Sequence, residues 1–278
     1  MYNYIKIWTF ISIVLCLSFL IGGLVSYFYA KESKVWQAFP TLYTFFPALV
    51  ALFVMWYFKE SITLPNLGLT FSGNWKFYLL AMLLPVIYLG LNNIIQLKLG
   101  NYMLKNDLNI TEIVVAVIAN QFVLLLFIAG EELGWRSFLQ NRLIEEYGIW
   151  TAVFILGIVW GLWHAPIALK GYNLPNHPKF EAFVFYPFVC ICYSAVMVFL
   201  TYKTQSIIPA ILFHTTNNNL GGLSLLLFDK KNQTSEMIVY FIIGFLMLTI
   251  SYFLINDIKK IEFHSQTLEH LDVITLKE

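Results

Sequence analysis

Eight apolar runs set the limits on what this chain can fold into. They cover about 7–29, 40–58, 77–97, 112–133, 149–169, 181–202, 207–228 and 235–256. A helix needs about 20 apolar residues to cross a bilayer. Lipid offers no partner for backbone N–H and C=O groups, so spanning segments are helices or closed barrels. Runs of this length are too long for barrel strands, and they predict an all-α, polytopic transmembrane bundle. Composition agrees: 59% of residues are hydrophobic and 12% charged, where a soluble domain carries about 25% charge. Residues 1–256 are read as the helical domain and 257–278 as a short polar C-terminal tail. The first run is read as a retained anchor rather than a cleaved signal.

Several function classes fall away. A net charge of +1 without a basic run gives no sign of nucleic-acid binding, and no nucleic-acid partner is expected. Cys16, Cys190 and Cys192 sit in apolar runs with neither metal-ligand nor redox spacing. Eight crossings put both termini on one side. Lysine and arginine divide almost evenly between the two sides, so the positive-inside rule gives only a lean toward cytoplasmic termini.

Against this apolar background a few polar residues cluster. The fourth run closes in "EELGWR", with Glu131, Glu132 and Arg136. The fifth carries Trp160 and His164 in "WGLWH", and the seventh holds His214, Asn217, Asn218 and Asn219 in "HTTNNN". A charged side chain at a helix centre costs about 2.5–3.5 kcal/mol, and such groups usually face the bundle interior. Successive helical residues are about 100° apart, so positions four apart share a face. Glu132 with Arg136, Trp160 with His164, and His214 with Asn218 can each offer a polar pair to a common interior. Glu131 points elsewhere than Arg136 and is free for another role. Each pair taken alone has a structural reading: an ion-pair clamp, a hydrogen-bonded packing histidine, an amide that glues helices.

Together the set permits peptide hydrolysis. A carboxylate withdrawn from water can act as a general base, a histidine can hold the same water or carry its proton, and a histidine with an amide can face an oxyanion. The same Glu/His/His set could instead hold a zinc ion that activates water. No H-E-x-x-H, G-x-S-x-G or paired-aspartate signature is present.

The three segments resemble those of the CPBP family, which includes type II CAAX prenyl endopeptidases and bacterial Abi bacteriocin-immunity proteins. Glu131, Glu132 and Arg136 match its E-E-x-x-x-R motif. Trp160 and His164 match the aromatic-x-x-x-H motif, with Trp where Phe is commoner, and His214 and Asn218 match H-x-x-x-N/D. The motifs come in family order within a core of about 110–228. The resemblance implies an intramembrane endopeptidase in which Glu131, Glu132, Arg136, His164, His214 and Asn218 form the catalytic set and Trp160 contacts substrate. It leaves open a glutamate-type or a zinc-dependent mechanism. Its substrates would be membrane-associated peptides or proteins; the eukaryotic branch removes the last three residues of prenylated CAAX proteins, while bacterial members are tied to peptide maturation or bacteriocin immunity, the context a short chain without large loops suggests. The chain would then be a multi-pass protein of a bacterial cell membrane. The competing class is a non-enzymatic immunity factor, scaffold or small transporter. A transporter would show internal repeats with broken helices, and none stands out.

Overall fold

Each of the eight apolar runs is helical. A computed structural model describes the backbone of residues 2–275 and, Gln233 apart, the side chains of residues 3–257. The helices are α1 (Tyr2–Leu17), α2 (Gly23–Phe28), α3 (Lys34–Tyr43), α4 (Phe46–Tyr57), α5 (Lys76–Lys98), α6 (Ile110–Glu132), α7 (Asn141–Tyr147), α8 (Ile149–Trp163), α9 (Ala165–Ala168), α10 (Pro178–Phe180), α11 (Tyr186–Thr204), α12 (Ile208–Leu227) and α13 (Gln233–Thr275). Wider π-helical turns join some of them, at Ser18–Gly22, Leu133–Gln140 and Glu181–Phe185. A two-stranded antiparallel ribbon ties two loops, pairing β1 (Tyr102–Leu104) with β2 (Phe228–Lys230) in the register Met103 opposite Asp229.

Fewer helices than expected have the full character of a span. Five are long and apolar enough to cross a membrane: Asn3–Phe28, Lys76–Lys98, Ile110–Tyr147, Pro178–Thr204 and Thr234–Asp257. A sixth is added if α3 and α4, bent by 42°, count as one. The remaining two expected spans fall short for different reasons. The run 149–169 stops at Trp163 because Pro166 has no N–H to continue the ladder; its 15 residues reach only about 22 Å. The run 207–228 is long enough, but "HTTNNN" dilutes its apolar character. These two short-falling helices are the ones that carry His164 and His214. The fourth run also departs from its expected end. It does not stop at Glu132 but continues through the π-helical turn to Tyr147, so the glutamates lie inside a long helix.

Contacts at the two ends show the chain running back and forth. One end gathers Asn3 with Glu145, Ser72 with the Thr204 carbonyl, and Trp150 with Asn256. The other gathers Ser26 with the Pro166 carbonyl, Gln96 with the Ser235 carbonyl, and the ribbon. The chain is a multi-pass integral membrane bundle. Of the polar tail expected at 257–278, α13 carries the backbone to Thr275; the side chains beyond Asp257, and residues 276–278 altogether, lie outside the described residues.

Two pairs of glycines decide how closely the central helices approach. A Cβ on Gly134 would fall 2.4 Å from Pro47, and one on Gly130 would fall 2.8 Å from the Phe45 ring. On α8, a Cβ on Gly157 or Gly161 would fall 2.5 and 2.4 Å from the backbone of Ile191 and Pro187. Small residues four apart let helices touch through their backbones, which is a main source of association in lipid. One pair seats the first motif on α4; the other seats the second motif on α11.

Candidate active site

The end of α8 shapes His164. Its backbone N–H donates to the Gly161 carbonyl at 3.1 Å, a tighter bond than the α-helical one to Trp160. The Trp160 carbonyl is met instead by the His164 ring, Nδ1 to O at 2.9 Å. A carbonyl only accepts, so Nδ1 carries the hydrogen and Nε2 keeps its lone pair. The neighbouring Trp163 carbonyl is held by Ser18 at 2.7 Å and by the Tyr43 hydroxyl at 2.6 Å. Side chains from α3 and the first π-helical turn thus fix the helix end beside His164.

Glu132 is the junction of the site. Its Oε2 accepts from Arg136 Nε at 2.8 Å and its Oε1 from His214 Nδ1 at 2.7 Å. All three side chains are buried, Glu132 and Arg136 completely. The i, i+4 ion pair expected from spacing therefore forms, and it also draws in α12. Arg136 reaches further: Nη1 donates to Ser194 of α11 at 3.2 Å, and its guanidinium lies over the Trp160 ring, 4.9 Å from the centroid. A charged pair in a low-dielectric interior needs its remaining valences met; Ser194 of α11, His214 of α12 and the Trp160 ring of α8 contribute, while Arg136 Nη2 has no hydrogen-bond partner among the described residues.

Glu131 has a different surrounding. It is also buried, and Oε2 accepts from Trp160 Nε1 at 3.1 Å. The Trp160 ring stands edge-on to His214, 5.2 Å between centroids, and lies 6.2 Å from the His164 ring. Contacts thus join Glu131, Glu132, Arg136, Trp160, His164 and His214 into one network drawn from α6, its π-helical continuation, α8 and α12.

Asn218 stands apart from that network. It shares a face with His214 by spacing but is exposed, and its recorded hydrogen bond is from Asn217 Nδ2 to its Oδ1 at 2.9 Å. Asn217 is held by the Tyr88 and Tyr193 hydroxyls, and Asn219 by Asn120, Gln121 and the Val117 carbonyl. Sequence spacing did not single out Tyr186, whose ring lies flat on His164 with centroids 4.4 Å apart and planes 6° from parallel. Nor did it find Ser194. Neither lies in a motif, and their distance along the chain from their partners hides them from any periodicity argument.

A zinc ion does not fit this arrangement. Among the described residues no three His, Cys, Asp or Glu side chains converge as metal donors, and both Glu132 oxygens already face the donors Arg136 and His214.

Residues 110–220 match the family model described as "Type II CAAX prenyl endopeptidase Rce1-like". The CAAX prenyl protease 2 of Methanococcus maripaludis is 32% identical over 115 residues, 40% of this chain and 42% of that protein. The chain thus spans less than half the length of the curated relative it matches. The matched segment contains all three motifs, and over it the chain is similar to the type II CAAX prenyl endopeptidases.

Proposed function

We propose that this protein is a CAAX-type intramembrane endopeptidase that hydrolyses a peptide bond with a water activated by Glu131 and His164. The observation that carries the reading is the unequal pairing of the two adjacent glutamates. Glu132 is held on both oxygens by cationic or imidazole donors, while Glu131 has one indole N–H and keeps capacity to take a proton. Glu132 and Arg136 are the scaffold; Glu131 is the base.

In this reading water attacks the peptide carbonyl carbon as Glu131 takes its proton, and the proton passes to the leaving amine nitrogen as the C–N bond breaks. His164 presents an unprotonated Nε2 that can hold the same water. His214 gives its Nδ1 hydrogen to Glu132, so it donates toward an oxyanion only from Nε2 as an imidazolium. Asn218, one turn along by spacing but exposed and outside the His214 network, is the amide that would supply a second donor.

The substrate class follows the names of the matched family and relative: a membrane-associated polypeptide with a prenylated C-terminal CAAX sequence. The test uses purified protein in proteoliposomes with a farnesylated CAAX peptide and its unprenylated twin, read by mass spectrometry. Release of the last three residues from the farnesylated peptide, lost in Glu131→Gln, is the expected result. A folded protein that cleaves neither peptide would overturn the proposal and favour a non-enzymatic membrane role.

A further inference from the structure

Beyond the motif residues, the loop between α9 and α10 is tied down by a carboxylate that the hydrolytic reading does not use. Glu181 is completely buried, and it accepts from two backbone N–H groups of that loop: Asn173 at 2.9 Å and Leu174 at 2.8 Å. The loop is pinned from a second side by Lys31, whose ammonium donates to the Gly171 carbonyl at 2.9 Å. So held, Asn173 donates its side-chain amide to the Tyr186 hydroxyl at 2.6 Å. Tyr186 then lies flat on His164, and Trp163 stands edge-on to the imidazole with centroids 4.7 Å apart.

The Tyr172 hydroxyl is pushed above the usual tyrosine range, first by withdrawal from water although 47% of the residue is exposed, then by the Glu181 and Glu131 carboxylates. Its next residue in the chain is Asn173.

Resting on the reading of His164 as part of the hydrolytic site, we infer that Tyr186 is a positioning residue, its ring fixing the His164 imidazole while Asn173 and Glu181 fix Tyr186. Packing alone needs no such device, because an apolar ring would fill the same space against α8. What the arrangement adds is a defined plane and azimuth for a tyrosine whose hydroxyl is anchored to a clamped loop. The Nδ1 bond to Trp160 holds one atom of the imidazole and leaves rotation about that contact; the stack removes it.

Three variants and two measurements test this. In Tyr186→Leu, kcat on the farnesylated peptide should fall about tenfold with KM unchanged, the scale of one lost aromatic pair. Tyr186→Phe, which keeps the ring, should recover most of that loss. The second measurement is the rate of carbethoxylation of His164 by diethyl pyrocarbonate, followed by mass spectrometry with His214 as internal reference. It should rise several-fold in Tyr186→Leu, rise less in Asn173→Ala, and leave His214 unchanged. Equal His164 labelling in wild type and Tyr186→Leu would overturn the inference. A wild type without peptidase activity would remove the hydrolytic reading, and the labelling rates would still decide whether the stack holds the ring. Should Tyr186→Leu not fold, Asn173→Ala, at an exposed loop position, carries the same comparison; unchanged labelling there would then count against the positioning role.

Discussion

One helix, α12, holds two polar clusters a single turn apart, and they are built on opposite principles. Around His214 the partners are charged, wholly buried and few: Glu132, and through it Arg136. Around Asn217 and Asn219 the partners are neutral amides and hydroxyls on α5, α6 and α11: Tyr88, Asn120, Gln121 and Tyr193. Interhelical amide bonds in membranes average about 0.6 kcal/mol each, so the second cluster spreads modest strength over many bonds. Removing one partner of a buried ion pair costs about 3–5 kcal/mol because the other charge is stranded. The first cluster therefore concentrates its strength, and its risk, in one carboxylate. A site built for chemistry differs from a helix lock in that its groups cannot substitute for one another.

Four substitutions separate the clusters, in order of expected effect. Glu131→Gln should lower turnover by up to about 10⁴-fold, the upper end for loss of a general base, with an unchanged melting profile in detergent; full activity would sink the assignment. Arg136→Ala should destabilise the fold by about 3–5 kcal/mol, read as a lower melting temperature, and Glu132→Gln combined with it should restore part of that loss. Asn218→Ala should melt like wild type yet lose about 10²–10³ in turnover, the scale of one oxyanion donor. Asn217→Ala should do the reverse on a smaller scale, losing about 1 kcal/mol of stability with near-normal turnover. Equal behaviour of the two asparagine variants would merge the clusters and remove the oxyanion role proposed for Asn218.

That contrast also marks what could be read from residue order. Apolar runs announced the long helices, since lipid forces the backbone to satisfy itself locally, but not the short α7 and α10, which lie between runs. The three motifs announced themselves because ionisable groups are rare in such runs. The asparagine run was harder. Three consecutive residues on a helix point in three directions about 100° apart, and only the neighbouring helices show that Asn219 faces α6 while Asn218 stays exposed. The π-helical turn after Glu132 was invisible as well, since nothing in "LGWRSFLQ" distinguishes it from an α-helix, and the expected span ended too early. Ser194, Asn173, Glu181 and Tyr186 meet the site only through tertiary contact. The ribbon between β1 and β2 escaped for the same reason, as each strand is three residues long.

The long helix from Ile110 to Tyr147 changes character midway. Of α6, only Ile128, Gly130, Glu131 and Glu132 are buried, whereas every residue from Gly134 to Gln140 is. A stretch facing lipid accepts any apolar side chain, because one hydrocarbon contact replaces another at little change in free energy. A stretch with a fixed neighbour at each position does not. Saturation mutagenesis should therefore draw a step rather than a slope along this helix: wide freedom among apolar residues up to about Phe127, Asn120 and Gln121 apart, then near-intolerance from Gly130, where even one added methyl group meets the Phe45 ring.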